Sequence, residues 1–263
     1  MVTFGFTVGG SEQYYANLST TIRAIKERVK CAYRILVLDN DNKFSSNDSL
    51  IKIIQTNYPR KLQYYWSNRY NLYKYAETEH VVYADIDTVI VNDNIEQLIH
   101  DSENKFYICQ HWWVDTYSKY IEYNSVNNIP KQLILKNNSP YFASGVFIFN
   151  INTCAQIFEK YWQIFNICYS KDDNFKQGIT DEFMLCHTLN SAQNYKFCHG
   201  SLNHCCEKQL MPIMFDGNTI FGKNPYEKEF KPIIFAHCDT FRRDPSIGYD
   251  MEMSKYIKKA FYL

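Results

Sequence analysis

The chain lacks a net charge: its 28 Lys and Arg residues balance 28 Asp and Glu residues. That balance excludes a global basic field for nucleic acid or an anionic membrane. Any anionic ligand must be held by a local site. No apolar run approaches the roughly 20 residues that span a bilayer. No internal repeat or low-complexity linker divides the 263 residues. One large domain, or one domain with a small lobe, is therefore expected. The opening Met1-Val2-Thr3-Phe4-Gly5 has no basic n-region of the kind that begins a secretory leader. The nine cysteines are odd in number and irregular in spacing, so we expect reduced thiols in a cytoplasmic setting rather than a disulfide framework. Cys198, His199, His204, Cys205 and Cys206 do not meet the ligand spacing of a zinc site.

Aromatic residues are plentiful, at 17% with 22 Tyr and 4 Trp. Core packing accounts for most of them, and a surplus of Tyr and Trp suits stacking on bases and sugars. The first half alternates strand-like and helix-like segments. Strands are expected at Val2 to Val8, Tyr33 to Asp39, Lys61 to Trp66 and from Val81. Helices are expected at Ser11 to Val29, Asn47 to Gln55 and Arg69 to Thr78. Such β-α-β-α-β order implies a mostly parallel sheet in an α/β fold. Further on, we expect a short helix at Asn94 to His100 and strands at Phe106 to Gln110, Tyr141 to Ile151 and Pro232 to His237. Helices are expected at Thr153 to Tyr169, Thr180 to Asn190 and Tyr249 to Leu263. The polar, aromatic stretch from His111 to Pro140 has no clean period, and an insert of that length is more often functional than a plain connection.

Two carboxylates, Asp85 and Asp87, end the apolar run Val81-Val82-Tyr83-Ala84. On an extended strand they face the same side. Two ionised carboxylates that close repel, and a divalent cation relieves the repulsion by taking both as ligands. Hard oxygen donors suit Mg²⁺ or Mn²⁺, so Asp85-Ile86-Asp87 reads as a metal–diphosphate site. His237, ending the apolar run Ile233-Ile234-Phe235-Ala236, is the candidate third ligand, and mixed imidazole and carboxylate ligation favours Mn²⁺. Arg69 has the bidentate donors that suit a diphosphate. Ser144-Gly145 interrupts a buried strand, where glycine permits close approach of a ligand or neighbouring strand. Asp181 and Glu182 open a helix, which its dipole favours. They also supply carboxylates for acid–base or charge-stabilising work. Trp112 and Trp113 are core residues or a stacking wall for an acceptor.

Taken in order, these blocks resemble a GT-A glycosyltransferase, most closely the glycogenin-like family 8 group of retaining enzymes. Val2 to Thr7 with Tyr14 and Tyr15 resembles that family's uridine-binding opening. Arg69 with Tyr83-Ala84-Asp85-Ile86-Asp87-Thr88 resembles its basic residue and YxDxDT motif. Phe142-Ala143-Ser144-Gly145-Val146 to Asn150 resembles its FNSGVxxxN strand, with Ala143 in place of Asn. Thr180-Asp181-Glu182 lies where the family has Asp-Gln, and His237 resembles its late metal-binding histidine. Leu210-Met211-Pro212, followed by Asp216, resembles its Leu-Pro before Asn. Cys238 to Arg243 replaces its HxxGxxKPW ending, with Arg242 or Arg243 the candidate for the missing Lys.

The resemblance implies a Rossmann-like central sheet with a smaller acceptor-side part, in a single domain over residues 1–263. The nucleotide half would be 1–110 and the acceptor half 111–263. It implies a Mn²⁺-dependent hexosyl transfer from a UDP-sugar to a hydroxyl of a glycan or protein. Asp85, Asp87 and His237 would hold the metal. Thr7, Tyr14, Arg69 and Asp85 would hold the nucleotide. Ser144 and Gly145 would face the sugar, and Asp181 and Glu182 would be catalytic. Two other readings fit the residues. Asp85-Ile86-Asp87-Thr88-Val89 matches the nucleophile motif of haloacid-dehalogenase-like phosphohydrolases, with Asp239 and Asp244 as a late acidic pair. The substitutions Ala143 and Glu182 suit a non-catalytic nucleotide-sugar binder.

Overall fold

The computed structural model describes residues 1–58, 62–102, 104–126, 129–169, 179–205, 213–217 and 219–237. The expected terminal helix, Leu210-Met211-Pro212, Asp239, Asp244 and the Cys238 to Arg243 stretch lie outside these residues.

β1 (Val2–Val8) leads through α1 (Glu12–Arg28) to β2 (Tyr33–Asp39) and β3 (Ile51–Gln55). Then come α2 (Leu62–Ser67), a 3₁₀ turn (Asn68–Lys74), β4 (His80–Ala84), β5 (Thr88–Ile90), α3 (Ile95–Ser102) and β6 (Phe106–Gln110). The second half comprises α4 (Tyr117–Tyr123), β7 (Phe142–Asn150), α5 (Ile151–Tyr169), α6 (Asp181–Ala192) and β8 (Tyr195–Cys198). Five short strands follow: β9 (Asn203–Cys205), β10 (Ile213–Asp216), β11 (Thr219–Gly222), β12 (Lys231–Pro232) and β13 (Phe235–His237).

The main sheet has the order β3-β2-β1-β4-β7-β6-β8. β1 pairs in parallel with β2 and β4, and β2 with β3. β7 runs antiparallel to both β4 and β6. Alternation along each strand sends side chains to two cores. Phe4, Phe6, Ile35, Val37, Val82, Ala84, Val146 and Ile148 share one core with α1 and α3 on one face. Leu36, Leu38, Val81, Tyr83, Phe147 and Phe149 meet α5 and α6 on the other. Both faces are thus covered, as a largely parallel sheet requires. The chain passes outward from β1 through β2 to β3, then returns to place β4 on the other side of β1. Ligands of open α/β sheets bind at such a switch point, beyond the carboxyl ends of the strands.

Two expected elements exchange character. Asn47 to Gln55 is not helical: Ile51–Gln55 is an edge strand in register with β2. Lys61 to Trp66 is not a strand: Leu62–Ser67 is helical. Short apolar runs do not reveal their period, and the free edge of β2 decides the first case. In the second, the aromatic residues pack on a helix instead of a sheet, with Tyr64 edge-on to Phe165 of α5 at 5.0 Å between ring centroids. Arg69 to Thr78 is a 3₁₀ turn ending at Lys74 rather than a regular helix. Among the described residues, no helix is long and apolar enough to cross a membrane.

Candidate active site

Asp85 and Asp87 do converge, but not by strand alternation. β4 ends at Ala84, and Asp85 to Thr88 form a turn. The Thr88 N–H and Oγ1 both donate to the Asp85 carbonyl, at 3.0 and 2.6 Å. The Asp85 N–H donates to the Gly145 carbonyl at 2.7 Å, anchoring the turn to β7. A small sheet then delivers the histidine. β13 pairs antiparallel with β5, setting His237 opposite Thr88. Ligand atoms of Asp85, Asp87 and His237 all lie within 4.8 Å of one another, and all three residues are buried.

The His237 ring is held on both sides. Its Nε2 lies 3.2 Å from Asp87 Oδ1. Its Nδ1 lies 3.1 Å from Oδ1 of Asn203, a fully buried residue of β9. An Nδ1–H donated to Asn203 would leave the Nε2 lone pair for a metal, the usual arrangement around ligating histidines. Gly145 makes room for the imidazole: a Cβ there would stand 2.6 Å from His237 Cε1. Two buried carboxylates, one oriented imidazole and a glycine cradle fit a hard divalent cation with mixed O and N ligation.

Arg69 is a buried hub. Its guanidinium reaches Asp85 at 3.0 Å, Asp181 at 3.1 Å and the Ser144 carbonyl at 3.1 Å. Burial works against its charge, but Asp85, Tyr83 and Asp181 outweigh that and hold it well above its ordinary pKa. Tyr83 also donates from its hydroxyl to Asp85 Oδ1. Asp181 accepts a further bond from Tyr70 at 3.3 Å. It opens α6, where the Thr180 side chain caps the Phe183 N–H.

Glu182 faces the other way. Its Oε2 accepts from the Ser144 N–H at 2.9 Å and from Ser144 Oγ at 3.0 Å. Burial raises its pKa to about 7. His111 lies 3.9 Å away, Nε2 to Oε1. Burial lowers the His111 pKa to about 3, so the ring is neutral at pH 7. Its Nδ1 accepts from the Trp113 and Val114 N–H groups, both at 3.4 Å, which places the remaining ring proton on Nε2, toward Glu182.

Two cavities meet here. One, of about 650 Å³ with its open mouth, is lined by Thr7, Tyr14, Asn40, Arg69, Asp85 and Asp87, among others. The second, of about 810 Å³, is lined by Arg69, Asp85, Trp112, Ser144, Glu182 and His237, among others. Arg69 and Asp85 border both. The expected site residues Thr7, Tyr14, Arg69, Asp85, Asp87, Ser144, Gly145, Asp181, Glu182 and His237 thus all line this paired cleft. Tyr15 turns away, donating to buried Asp39 at 2.9 Å. Sequence reading missed Asn203, His111 and Asn40. Asn203 lies in a three-residue strand without a periodic signal, and only its register beside His237 reveals it.

Of the residues weighed for zinc, two have other partners. Cys198 Sγ lies 3.1 Å from Cys109 Sγ, and His199 bonds to Glu227 and Glu229. Cys206 and the Cys205 side chain lie outside the described set.

A mostly parallel sheet flanked by helices, with a buried Asp-Asp-His group at its switch point, has the architecture of the GT-A fold. The family described as glycosyl transferase family 8 matches residues 10–189. The chain belongs to that family. Solved structures share its fold. The galactosyltransferase LgtC, solved in complex with donor and acceptor sugar analogs, aligns with a TM-score of 0.64 at 14% identity, covering 99% of this chain and 96% of that one. An active-site Gln-to-Glu variant of LgtC aligns at 0.61 and 15% identity, covering 90% and 87%. Mouse xyloside xylosyltransferase 1 aligns at 0.55 and 12% identity, covering 90% and 97%. No curated protein sequence matches the chain. Nothing supports the phosphohydrolase reading, whose motif would follow the first strand; here Asp85 follows β4, the fourth strand of the sheet.

Proposed function

We propose that the protein transfers a hexosyl group from a UDP-sugar to a hydroxyl acceptor, with Mn²⁺ as cofactor and with retention at the anomeric carbon. The observation that carries this reading is the Asp85, Asp87 and His237 group at the junction of two cavities. Thr7 and Tyr14 bind the nucleotide in the first cavity, and Ser144 and Gly145 border the sugar in the second. Asp85, Asp87 and His237 hold the cation, which when bound neutralises charge on the leaving diphosphate. The two halves of the chain, 1–110 and 111–263, divide this work between nucleotide and acceptor.

The protein's own groups do the rest. Arg69 fixes Asp85 and Asp181 in one ion-pair network, so the carboxylates need not reorganise as charge separates. Glu182, held by Ser144 on one oxygen, presents the other toward the second cavity. Near its pKa it serves as a proton acceptor, or as a negative group beside a developing oxocarbenium ion. Asp181 acts beside it as an electrostatic partner.

The test is UDP release from a panel of UDP-hexoses with Mn²⁺, alongside calorimetric binding. We expect binding and slow hydrolysis that an acceptor accelerates. Binding without turnover would favour the non-catalytic binder, and no binding at all would sink the donor assignment.

A further inference from the structure

Two thiols that the cleft does not use meet beside it. Cys109 on β6 and Cys198 on β8 are partners in the parallel pairing of those strands. Adjacent strands stand about 4.8 Å apart, inside the Cα separation that a disulfide spans. Both side chains lie in the same core on one face of the sheet, and Sγ approaches Sγ to 3.1 Å. Both cysteines are free.

The surroundings permit a closer approach. The register of β6 against β7 shifts between Ile108 and Cys109, an irregularity of the kind that bends a strand and re-aims a side chain. β8 is the last strand of the main sheet, so its outer edge has no partner in that sheet. Cys198 is 5% exposed against 1% for Cys109, and Phe197 just before it is 40% exposed. A small solute therefore reaches Cys198 first. Burial pushes the Cys198 thiol well above its ordinary pKa, so the resting pair stays protonated and reacts slowly.

The chain beyond each cysteine belongs to the cleft. Cys109 is followed by Gln110 and then His111, which lines the second cavity. Cys198 leads through a 3₁₀ turn at Gly200–Leu202 to Asn203, which holds the His237 ring. One anchor ties the two segments together. Asn224 donates from Nδ2 to the Gln110 carbonyl at 3.3 Å. Glu227 accepts from the Gly200 and Asn224 N–H groups at 2.8 and 2.6 Å. Closing the sulfurs from 3.1 Å to a bond of about 2.05 Å must move one strand end, and with it the support of Asn203.

We propose that Cys109 and Cys198 form a dithiol switch, closed to a disulfide by hydrogen peroxide, that weakens the hold of the cleft on its ligand. The Cys198 thiolate attacks one peroxide oxygen and the O–O bond breaks. This leaves a sulfenic acid and a hydroxide, which takes up the proton the thiol gave. The Cys109 sulfur then attacks the sulfenic sulfur; the S–S bond forms, the S–O bond breaks and water leaves. Two thiols are oxidised, one peroxide is reduced and two waters result. Only the ligand chosen for the binding measurement below rests on the transferase reading.

Peptide mass spectrometry on the full chain tests the switch, after peroxide treatment, removal of the oxidant and alkylation of the remaining thiols. We expect a linked Cys109–Cys198 peptide, lighter by two hydrogens than the two thiol peptides together and separated by dithiothreitol. Amide hydrogen exchange should change around Gln110 and from Gly200 to Asn203 in the linked protein. Calorimetry should show affinity for UDP with Mn²⁺ reduced about 5-fold or more and restored by dithiothreitol. Cys109→Ala and Cys198→Ala should each bind as the reduced wild type does and ignore peroxide, whereas Cys31→Ala should respond as the wild type does. Oxidation confined to other cysteines, over-oxidation of Cys198 without a link, or unchanged exchange in the linked protein overturns the proposal. So does equal UDP affinity before and after linkage. Absence of UDP binding in both states would sink the donor assignment instead, and hydrogen exchange would then decide the switch alone.

Discussion

Gly145 and Glu182 show how single positions set this site. A methyl group at Gly145 would collide with the His237 imidazole. Gly145→Ala should therefore displace the ring and weaken Mn²⁺-supported UDP binding at least 10-fold, read by calorimetry. An unchanged affinity would remove His237 from the ligand set. Glu182 makes a separate prediction through pH. Its folded pKa is raised from 4.5 to about 7, so the folded state retains a proton that the unfolded chain gives up. Its stabilising contribution is full below about pH 4.5 and is lost as pH rises through 7. Water reaches 23% of the side chain, which tempers the effect to about 2 kcal/mol. Glu182→Gln should match the wild type at pH 4 and melt on the order of 4–8 °C higher at pH 8. Parallel melting curves at both pH values check this. These residues were legible because each carries its own chemistry in one letter. Asn203 was not, because an asparagine gains its role only from the histidine set beside it.

At the scale of elements, the turn between β4 and β5 does what a strand was expected to do. Asp85 and Asp87 were readable as a pair from spacing alone. The means of their convergence was not, because Thr88 closes the turn through its side chain and β13 pins it by pairing. The β3 and α2 exchange has the same origin: a few apolar residues take the form their neighbours offer. The start of α6 shows local reading falling short in energy rather than in form. As a helix-start residue, Asp181 would contribute at most about 1 kcal/mol. The structure instead buries it against Arg69 and Tyr70. Asp181→Asn leaves the guanidinium with Asp85 as its remaining carboxylate. The variant should lose on the order of 3 kcal/mol of stability and about 100-fold in turnover, with UDP affinity reduced less. Denaturant titration and single-turnover kinetics on one preparation separate the two losses. Wild-type stability would mean that the ion pair is not the constraint described here.

The whole molecule joins the cleft from distant parts of the chain. β1, the β4–β5 turn, β7, α6 and β13 each contribute one wall, so occupation of the cleft should stabilise the entire fold. The strands β1, β2 and β4 of a mostly parallel sheet could be anticipated from alternating elements in the sequence, whereas β3 falls where a helix was expected. The antiparallel insertion of β7 and the small β5-β13-β9 sheet could not, since both depend on pairings far apart in the chain. It is this second sheet that brings His237 to Asp85 and Asp87, and the last prediction follows from it. Bringing a diphosphate to Asp85 and Asp87 without a cation sets like charges together. Each pair costs about 4 kcal/mol at ~4 Å in a surface-like dielectric. UDP alone should therefore leave the melting temperature nearly unchanged. UDP with Mn²⁺ at about 100 times its Kd should add about 2.7 kcal/mol, a rise on the order of 5–10 °C for a chain of this size. EDTA should abolish the rise. Equal stabilisation by UDP with and without the chelator would show that the carboxylates accept the nucleotide unaided, and the cation would lose its place in this site.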